Sequence, residues 1–143
     1  MTELFERLVI HCDGASRGNP GPAGAGASLT TPDGALVAEI AEGLGEATNN
    51  VAEYTAVIRG LERARELGAR EVAVRSDSLL LVNQLTGRYR VKTQHLQPLY
   101  RRVRELAGDF ERATFEHVPR ERNVEADRLA NVGVDSWLAT HGR

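Results

Sequence analysis

Residues 5–13 read FERLVIHCD, and the fold prediction starts from this segment. Its β-branched and apolar residues occupy both alternating sets of positions, which is typical of a central strand covered on both faces. The next segment, GASRGNPGPAG, is so rich in glycine and proline that it predicts a turn only. Two further strands, at 24–31 and 35–44, flank the hairpin signal Pro32-Asp33-Gly34.

The apolar period changes after Asn50, where apolar residues recur every three or four positions and predict a helix up to Gly68. The remaining predicted elements are a strand at 71–76, a short helix at 79–85, a helix at 98–107, a strand at 113–118 and a last helix that starts at Asn123. Hairpin-connected strands followed by helix-linked strands predict an α/β fold. We expect a five-stranded mixed sheet, three antiparallel strands and then two parallel ones, flanked by helices.

Length, charge and cysteine content narrow the class of protein. A chain of 143 residues fits one compact domain with its own core, and we expect a single domain over residues 1–143. The single cysteine, Cys12, excludes an internal disulfide and favours a reducing, cytoplasmic setting. No apolar run reaches the roughly 20 residues that cross a bilayer, so a membrane partner is not expected. The net charge of -2 differs from the basic charge of many nucleic-acid-binding domains.

Four acidic residues near predicted strand ends and helix starts are the candidate functional side chains: Asp13, Glu53, Asp77 and Asp127. Each has a local structural explanation. Asp13 could be a turn residue, and Glu53 could complete a capping box that Asn50 opens. Asp77 could cap the second helix, and Asp127 could be a favourable charge near a helix N-terminus. None of the four, taken alone, indicates a function.

The joint placement of these residues points to a metal site. Asp13 and Asp77 end two strands that are predicted to be parallel neighbours, so both carboxylates leave the sheet at one edge. Glu53 lies in the first turn of the crossover helix, and Asp127 could close the site from the last helix. Converging carboxylates repel one another unless a divalent cation neutralises them. All-oxygen ligation suits magnesium or manganese rather than zinc.

Four ordered segments resemble the signatures of the ribonuclease HI family: HCDGASRGNPGPAGAG, TNNVAEYTAVIRGL, VRSDSLLLVNQL and NVEADRLAN. The resemblance extends from about Leu8 to Asn131 and implies the ribonuclease H-like fold. It implies an endonuclease that hydrolyses the RNA strand of RNA–DNA hybrids with two Mg²⁺ ions, with Mn²⁺ as an alternative. The metal-binding catalytic residues would then be Asp13, Glu53, Asp77 and Asp127.

The resemblance also implies a set of substrate-contacting residues in turns and helix starts: Gly14, Asn19, Thr48, Asn49, Asn50 and Ser78. Gly14 and Asn19 would lie near the RNA minor groove, and Asn50 would contact the RNA. Thr48 and Asn49 would contact a DNA phosphate or base edge. Short polar groups suit a shallow A-like minor groove, where the 2′-hydroxyl distinguishes RNA from DNA. Ordinary turn and cap chemistry explains any single member equally well.

The segment before Asp127 departs from the family pattern. Many members carry a histidine in this loop that helps the product leave, whereas here the loop reads PRERN. We expect Arg120 or Arg122 to take that role, as in a branch of the family that lacks the histidine. His117 is expected on the fifth strand, as a half-buried residue without a catalytic part.

The segment GRYRVKTQHLQPLYRRVREL is too short for the basic protrusion that grips the hybrid in well-studied members. A smaller basic patch could replace it: Arg88, Arg90, Lys92, Arg101, Arg102 and Arg104. A solvated helix face explains the last three equally well. We expect weaker binding than in members with the protrusion, because fewer neutralised phosphates mean less counterion release. Leu79 stands where many members have a polar side chain that contacts the substrate.

The predicted mechanism is hydrolysis without a covalent intermediate, leaving 5′-phosphate and 3′-hydroxyl ends. One ion, bound by Asp13 and Asp127 with Asp77 as a further ligand, would lower the pKa of the attacking water. A second ion, bound by Asp13, Glu53 and Asp77, would stabilise the leaving 3′-oxygen.

Three other interpretations stay open. Transposases, integrases and junction-resolving enzymes share this sheet and act on DNA, and duplex RNA is also an open substrate for relatives without the loop histidine. The chain could be a non-catalytic hybrid-binding module, which the loss of a carboxylate would support, although all four are present. It could also be one domain of a longer protein. We expect a monomer.

Overall fold

Residues 5–141 are described by a computed structural model and form a five-stranded sheet with helices packed against it. The strands are β1 (Arg7–Ser16), β2 (Gly21–Thr30), β3 (Leu36–Ala47), β4 (Glu71–Ser76) and β5 (Arg112–His117). The helices are α1 (Asn49–Glu66), α2 (Leu79–Leu85), α3 (Gln97–Ala107) and α4 (Val124–His141), with short 3-10 helices at Gln94–Leu96 and Arg120–Arg122.

The predicted mixed sheet is confirmed. Its spatial order is β3-β2-β1-β4-β5, with β1 antiparallel to β2, β2 antiparallel to β3, and β1, β4 and β5 mutually parallel. α1 is the crossover between β3 and β4, and α4 follows β5. The central position of β1, expected from its apolar residues on both faces, puts its carboxyl end in the middle of one edge of the sheet.

The two faces of β1 pack against different helices. Leu8, Ile10 and Cys12 belong to the main core, which α1 and α3 cover. Because side chains alternate along a strand, His11 and Asp13 lie on the opposite face, which α4 crosses over β1, β2 and β3. β1 therefore lies between two helices that reach its carboxyl end from opposite sides.

The prediction that GASRGNPGPAG forms only a turn is wrong. β1 continues to Ser16 and β2 begins at Gly21, so residues 17–20 alone make the turn, which contains a cis peptide bond before Pro20. Gly14 pairs with Ala25 and Ser16 with Ala23 in the antiparallel ladder. Small residues are tolerated in these strands because helices lie directly on them. A turn prediction based only on glycine and proline content does not take this packing into account.

The local explanations of Glu53 and Asp77 as parts of helix caps do not hold, because the caps lie one or two residues away from Asp77 and Asn50. α1 is capped by Thr48, whose hydroxyl accepts a hydrogen bond from the backbone N–H of Val51 at 3.2 Å, so Asn50 is already inside the helix. α2 is capped by Ser78 rather than Asp77, with its hydroxyl accepting from the N–H of Leu81 at 3.2 Å. Glu53 and Asp77 are thereby freed from the capping roles that their positions suggested.

The described helices were compared with the length and hydropathy of a membrane-spanning helix. Within residues 5–141, none combines the length and the hydropathy that a bilayer crossing demands.

Candidate active site

Asp13 and Asp77 lie side by side where the pairing of β1 with β4 ends, although β1 itself continues to Ser16 beside β2. β1 and β4 pair in parallel as far as Cys12 and Ser76, and each aspartate is the next residue of its chain segment. One carboxylate oxygen from each of Asp13, Glu53 and Asp77 lies within 4.8 Å of the other two. The structure therefore brings three of the four predicted carboxylates into one group at the carboxyl edge of the sheet.

Gly14 allows α1 to approach β1 closely enough to place Glu53 in this group. A Cβ atom at position 14 would lie 2.3 Å from the backbone nitrogen of Glu53 and 2.4 Å from the carbonyl carbon of Ala52. Backbone atoms cannot yield that much space, so only glycine fits here. Gly14 therefore packs against α1, the helix that carries Glu53.

Asp127 approaches the group from α4, on the other side of β1. Gly26 pairs with Asp13 in the ladder, and a Cβ atom at position 26 would lie 2.3 Å from the backbone nitrogen of Ala130. The close packing of α4 on this glycine brings the exposed Asp127 within hydrogen-bonding reach of the Asp13 carboxyl group. Asp127 thus stands beside Asp13, outside the tight group of three.

Asn123, which the sequence did not single out, connects β1 to the start of α4. Its side chain is buried, and Nδ2 donates to the carbonyl oxygen of Cys12 at 2.9 Å. Its own backbone carbonyl oxygen accepts from the N–H of Asp127 at 3.1 Å. The Oδ1 atom has no partner among residues 5–141. An asparagine before a helix looks like an ordinary cap, so no local signal distinguishes it.

In the described part of the chain, the four carboxylates have no basic side chains beside them that would neutralise their negative charge. Within residues 5–141, none of the four carboxylates forms a salt bridge. Burial, followed by the charge of Asp77 and the proximity of Asp127, raises the pKa of Asp13 to about 8. Burial also raises the pKa of Glu53 to about 7, although a hydrogen bond from Ser78 opposes the shift. A divalent cation would relieve the repulsion and displace these protons.

The predicted substrate-contact residues lie around the same edge, and several of them also make intramolecular hydrogen bonds. The backbone N–H of Asn49 donates to Oδ1 of Asn19 at 3.1 Å and joins the β1–β2 turn to α1. Thr48 and Ser78 are the two helix caps described above. Asn50 is exposed in the first turn of α1. Their contacts with a substrate stay predictions.

The loop before α4 lies at this edge as well. Arg120 and Arg122 are exposed members of a 3-10 helix that leads directly into the buried Asn123. The expectation of a half-buried His117 is wrong, because this residue is exposed at the end of β5. β5 is an edge strand, and that position leaves its last residue uncovered.

The predicted basic patch divides into two parts, and Lys92 is exposed but lines neither of them. Arg102 pairs with Glu62 and Glu105 at 3.5 and 3.6 Å, and Arg104 donates to the carbonyl oxygen of Leu85 at 3.1 Å, as expected for a helix face. Other members line an open groove of about 640 Å³ beyond α2, together with two tyrosines: Arg88, Tyr89, Arg90, Tyr100 and Arg101. This groove is called the Arg–Tyr groove below.

Comparisons with known proteins agree with this architecture. The family model described as reverse transcriptase-like matches residues 11–133. The N-terminal RNase H domain of Rv2228c from Mycobacterium tuberculosis has a TM-score of 0.88 and 52% identity, over 90% of this chain and 99% of that one. RNase H1 from Halobacterium salinarum also has a TM-score of 0.88, with 45% identity over 91% of this chain and 98% of that one. The chain belongs to the ribonuclease H family.

A third relative extends the comparison to a family member with nucleic acid. LC11-RNase H1, isolated from compost by a metagenomic approach, is 40% identical in its complex with an RNA/DNA hybrid. Its TM-score is 0.86, over 92% of this chain and 99% of that one. The chain spans only 36% of the full length of the bifunctional protein Rv2228c, with 52% identity over 131 residues. The ribonuclease H fold is therefore common to all three relatives, one of which carries it as part of a longer protein.

Proposed function

We propose that this chain is a metal-dependent endonuclease that hydrolyses the RNA strand of RNA–DNA hybrids. The observation that carries the proposal is the convergence of three carboxylates, with Asp127 beside them, in the absence of a cationic partner among residues 5–141. Family membership and the relative with a bound hybrid support the same substrate. The products would carry 5′-phosphate and 3′-hydroxyl ends.

The donor atoms fit Mg²⁺, with Mn²⁺ as the close alternative. All donors in the group are carboxylate oxygens, which are the ligands of hard divalent cations, and no thiol or imidazole belongs to it. The raised pKa values of Asp13 and Glu53 indicate that charge at this position is unfavourable until a cation arrives. Two such ions would supply an activated water and stabilisation of the leaving 3′-oxygen.

Each carboxylate has a distinct task in this proposal. Asp13 is close to both Asp77 and Asp127 and would be shared by the two ion positions. Glu53 is buried at the start of α1, which packs closely on Gly14, so it would supply a rigid ligand. Asp127 is exposed and would supply the ligand nearest to solvent, where water enters and product leaves.

The surface around the carboxylates suits a hybrid. The polar start of the 18-residue helix α1, with Thr48, Asn49 and Asn50, favours a phosphate or a base edge of one strand. The Arg–Tyr groove offers guanidinium groups for phosphates and rings for stacking, and would hold the strand farther from the cut. Arg120 and Arg122, at the loop before α4, would assist product release.

Parallel cleavage assays test this proposal. A labelled RNA–DNA hybrid, duplex RNA and duplex DNA are incubated with Mg²⁺, with Mn²⁺ and with EDTA, and product ends are mapped. We expect internal cuts in the RNA strand of the hybrid, which disappear in EDTA and in the Asp13→Asn variant. Cleavage of duplex DNA in preference to the hybrid would support a DNA-acting relative instead. Tight hybrid binding without cleavage would support a non-catalytic module.

A further inference from the structure

The β1–β2 turn contacts the elements on both sides of the carboxylates. On one side it is joined to the β3–α1 junction, where the hydroxyl of Ser16 donates to the carbonyl oxygen of Ala47 at 2.8 Å. The Asn49–Asn19 hydrogen bond lies next to this contact. The turn is closed by the N–H of Arg17, which donates to the carbonyl oxygen of Pro22 at 2.9 Å. It is thus a fixed point beside the start of α1.

The side chain of Arg17 reaches α4 on the other side. Its Nη1 donates to Oδ1 of Asp135 at 2.7 Å, and its Nη2 donates to Oδ1 of Asn131 at 3.2 Å. Asn131 in turn donates from Nδ2 to the carbonyl oxygen of Asp127 at 3.0 Å. A planar guanidinium that binds side chains one helical turn apart restrains the helix along its axis, which a single ion pair does not do.

Asp127 is the carboxylate that most needs this restraint. Asp13 and Glu53 are each 7% exposed and Asp77 is half-buried, whereas Asp127 is exposed in the first turn of α4. Helix ends fray unless tertiary contacts hold them. The hydrogen bonds from Arg17 through Asn131 to Asp127, together with the Asp135 ion pair, are called the Arg17 clamp.

We propose that Arg17 is a positioning residue, which acts through the Arg17 clamp to hold Asp127 in place for cation binding. The inference rests on the proposed function of the carboxylates as a metal site. It assigns Arg17 no contact with the reacting atoms. The Arg17 side chain is 43% exposed, so direct binding of a substrate phosphate is the competing role that the experiment has to separate.

The experiment compares Arg17→Met, Asp135→Asn and their double variant with a matched control. Arg65→Met removes a second ion pair, Arg65–Asp109, which has the same 2.7 Å separation and lies far from the site, at the other end of α1. Mn²⁺ binding is measured by calorimetry on the nucleic-acid-free protein. Amide hydrogen exchange is measured on the segment around Asp127, also without nucleic acid.

We expect Arg17→Met to weaken Mn²⁺ binding about fivefold, the upper range for one exposed ion pair, and to speed exchange around Asp127. Asp135→Asn should act in the same direction, and the double variant should be no worse than Arg17→Met, because Arg17→Met already removes the ion pair with Asp135. In cleavage assays the metal concentration for half-maximal rate should rise, while KM for the hybrid at saturating metal stays unchanged. Arg65→Met should change none of these values.

Two results would overturn the inference. Unchanged Mn²⁺ binding and unchanged amide exchange in Arg17→Met would show that the Arg17 clamp does not position Asp127. A raised KM with a shallower salt dependence, and normal Mn²⁺ binding, would make Arg17 a phosphate contact instead. The binding and exchange measurements contain no nucleic acid, so they remain decisive for the clamp even if the wild-type protein cleaves no hybrid.

Discussion

The two ends of the parallel strands use the same types of charged residue in opposite ways. Where β1 and β4 begin, Arg7 pairs with Glu71 at 3.7 Å, and Arg70 bridges Glu6 and Glu111 at 3.7 and 3.0 Å. Where the strands end, Arg75 pairs with Glu116 at 2.9 Å, but Asp13, Glu53 and Asp77 converge and form no salt bridge among the described residues. The first end is an ordinary solvated surface. The second end keeps its charge unbalanced, as a site for a cation from solution requires.

The largest effect is expected from neutralising the carboxylate end. Asp13→Asn or Asp77→Asn should reduce the cleavage rate by about a hundredfold or more, because a neutral amide binds a divalent cation poorly. Initial rates on a labelled hybrid with saturating Mg²⁺ measure this. Glu71→Gln is the control at the paired end and should stay within about twofold of wild type. Similar losses at both ends would abolish the contrast.

A large effect is also expected from filling the contact between β1 and α1. In Gly14→Ala the new Cβ would lie 2.3 Å from the nitrogen of Glu53, so α1 must move away from the site. We expect a loss of about 1–3 kcal/mol in the free energy of unfolding and about a hundredfold in rate. Denaturant unfolding and hybrid cleavage measure the two. Gly108→Ala is the control, since its nearest contact would be an ordinary 3.4 Å. Wild-type rates in Gly14→Ala would contradict the packing argument.

The unbalanced charge should appear in the pH dependence of stability without metal. The pKa of Asp13 is raised to about 8 in the folded protein, against about 3.9 in an unfolded chain. The stability from its protonated form is fully present below the lower pKa and is lost as pH rises through about 8. In EDTA, unfolding free energy should therefore fall between pH 6 and pH 9.

Asp13→Asn should remove much of that fall and be the more stable protein at pH 9, on the order of a few kcal/mol. Saturating Mg²⁺ should restore the wild type at pH 9 and leave the variant unchanged. Thermal unfolding in EDTA and in Mg²⁺ at the two pH values measures both effects. Equal pH slopes for the two proteins in EDTA would contradict the proposed charge repulsion.

The smallest effect is expected at the Arg–Tyr groove, which lies away from both ends. Replacing Arg88, Arg90 and Arg101 by glutamine should weaken hybrid binding severalfold and lower the salt slope by about one unit for each phosphate that is no longer neutralised. The rate at saturating hybrid should stay close to wild type. Equilibrium binding at several salt concentrations measures this, with Arg63→Gln as the control on α1. An unchanged slope would show that the groove does not bind phosphates.

Local sequence patterns predicted the elements where one rule acts alone. β4 and α2 begin and end at the predicted residues, because short apolar runs are bounded there by polar residues or glycine. The prediction for GASRGNPGPAG was wrong, since Gly14 and Gly24 are strand positions on which α1 and α4 pack directly. The sequence did not identify the cap residues of α1 and α2, because neighbouring polar residues satisfy the same local rule equally well.

The order of strands and helices, the antiparallel and parallel pairing of the sheet and the four acidic candidates could be predicted from the chain alone, because hydrophobic periodicity, turn residues and family motifs are local properties. How these parts meet could not be predicted: Gly14 and Gly26 let two helices pack on opposite faces of β1, and Asn123 and Arg17 connect α4 to the site. These contacts join residues that are remote along the chain, so their energies depend on three-dimensional packing that no local pattern encodes.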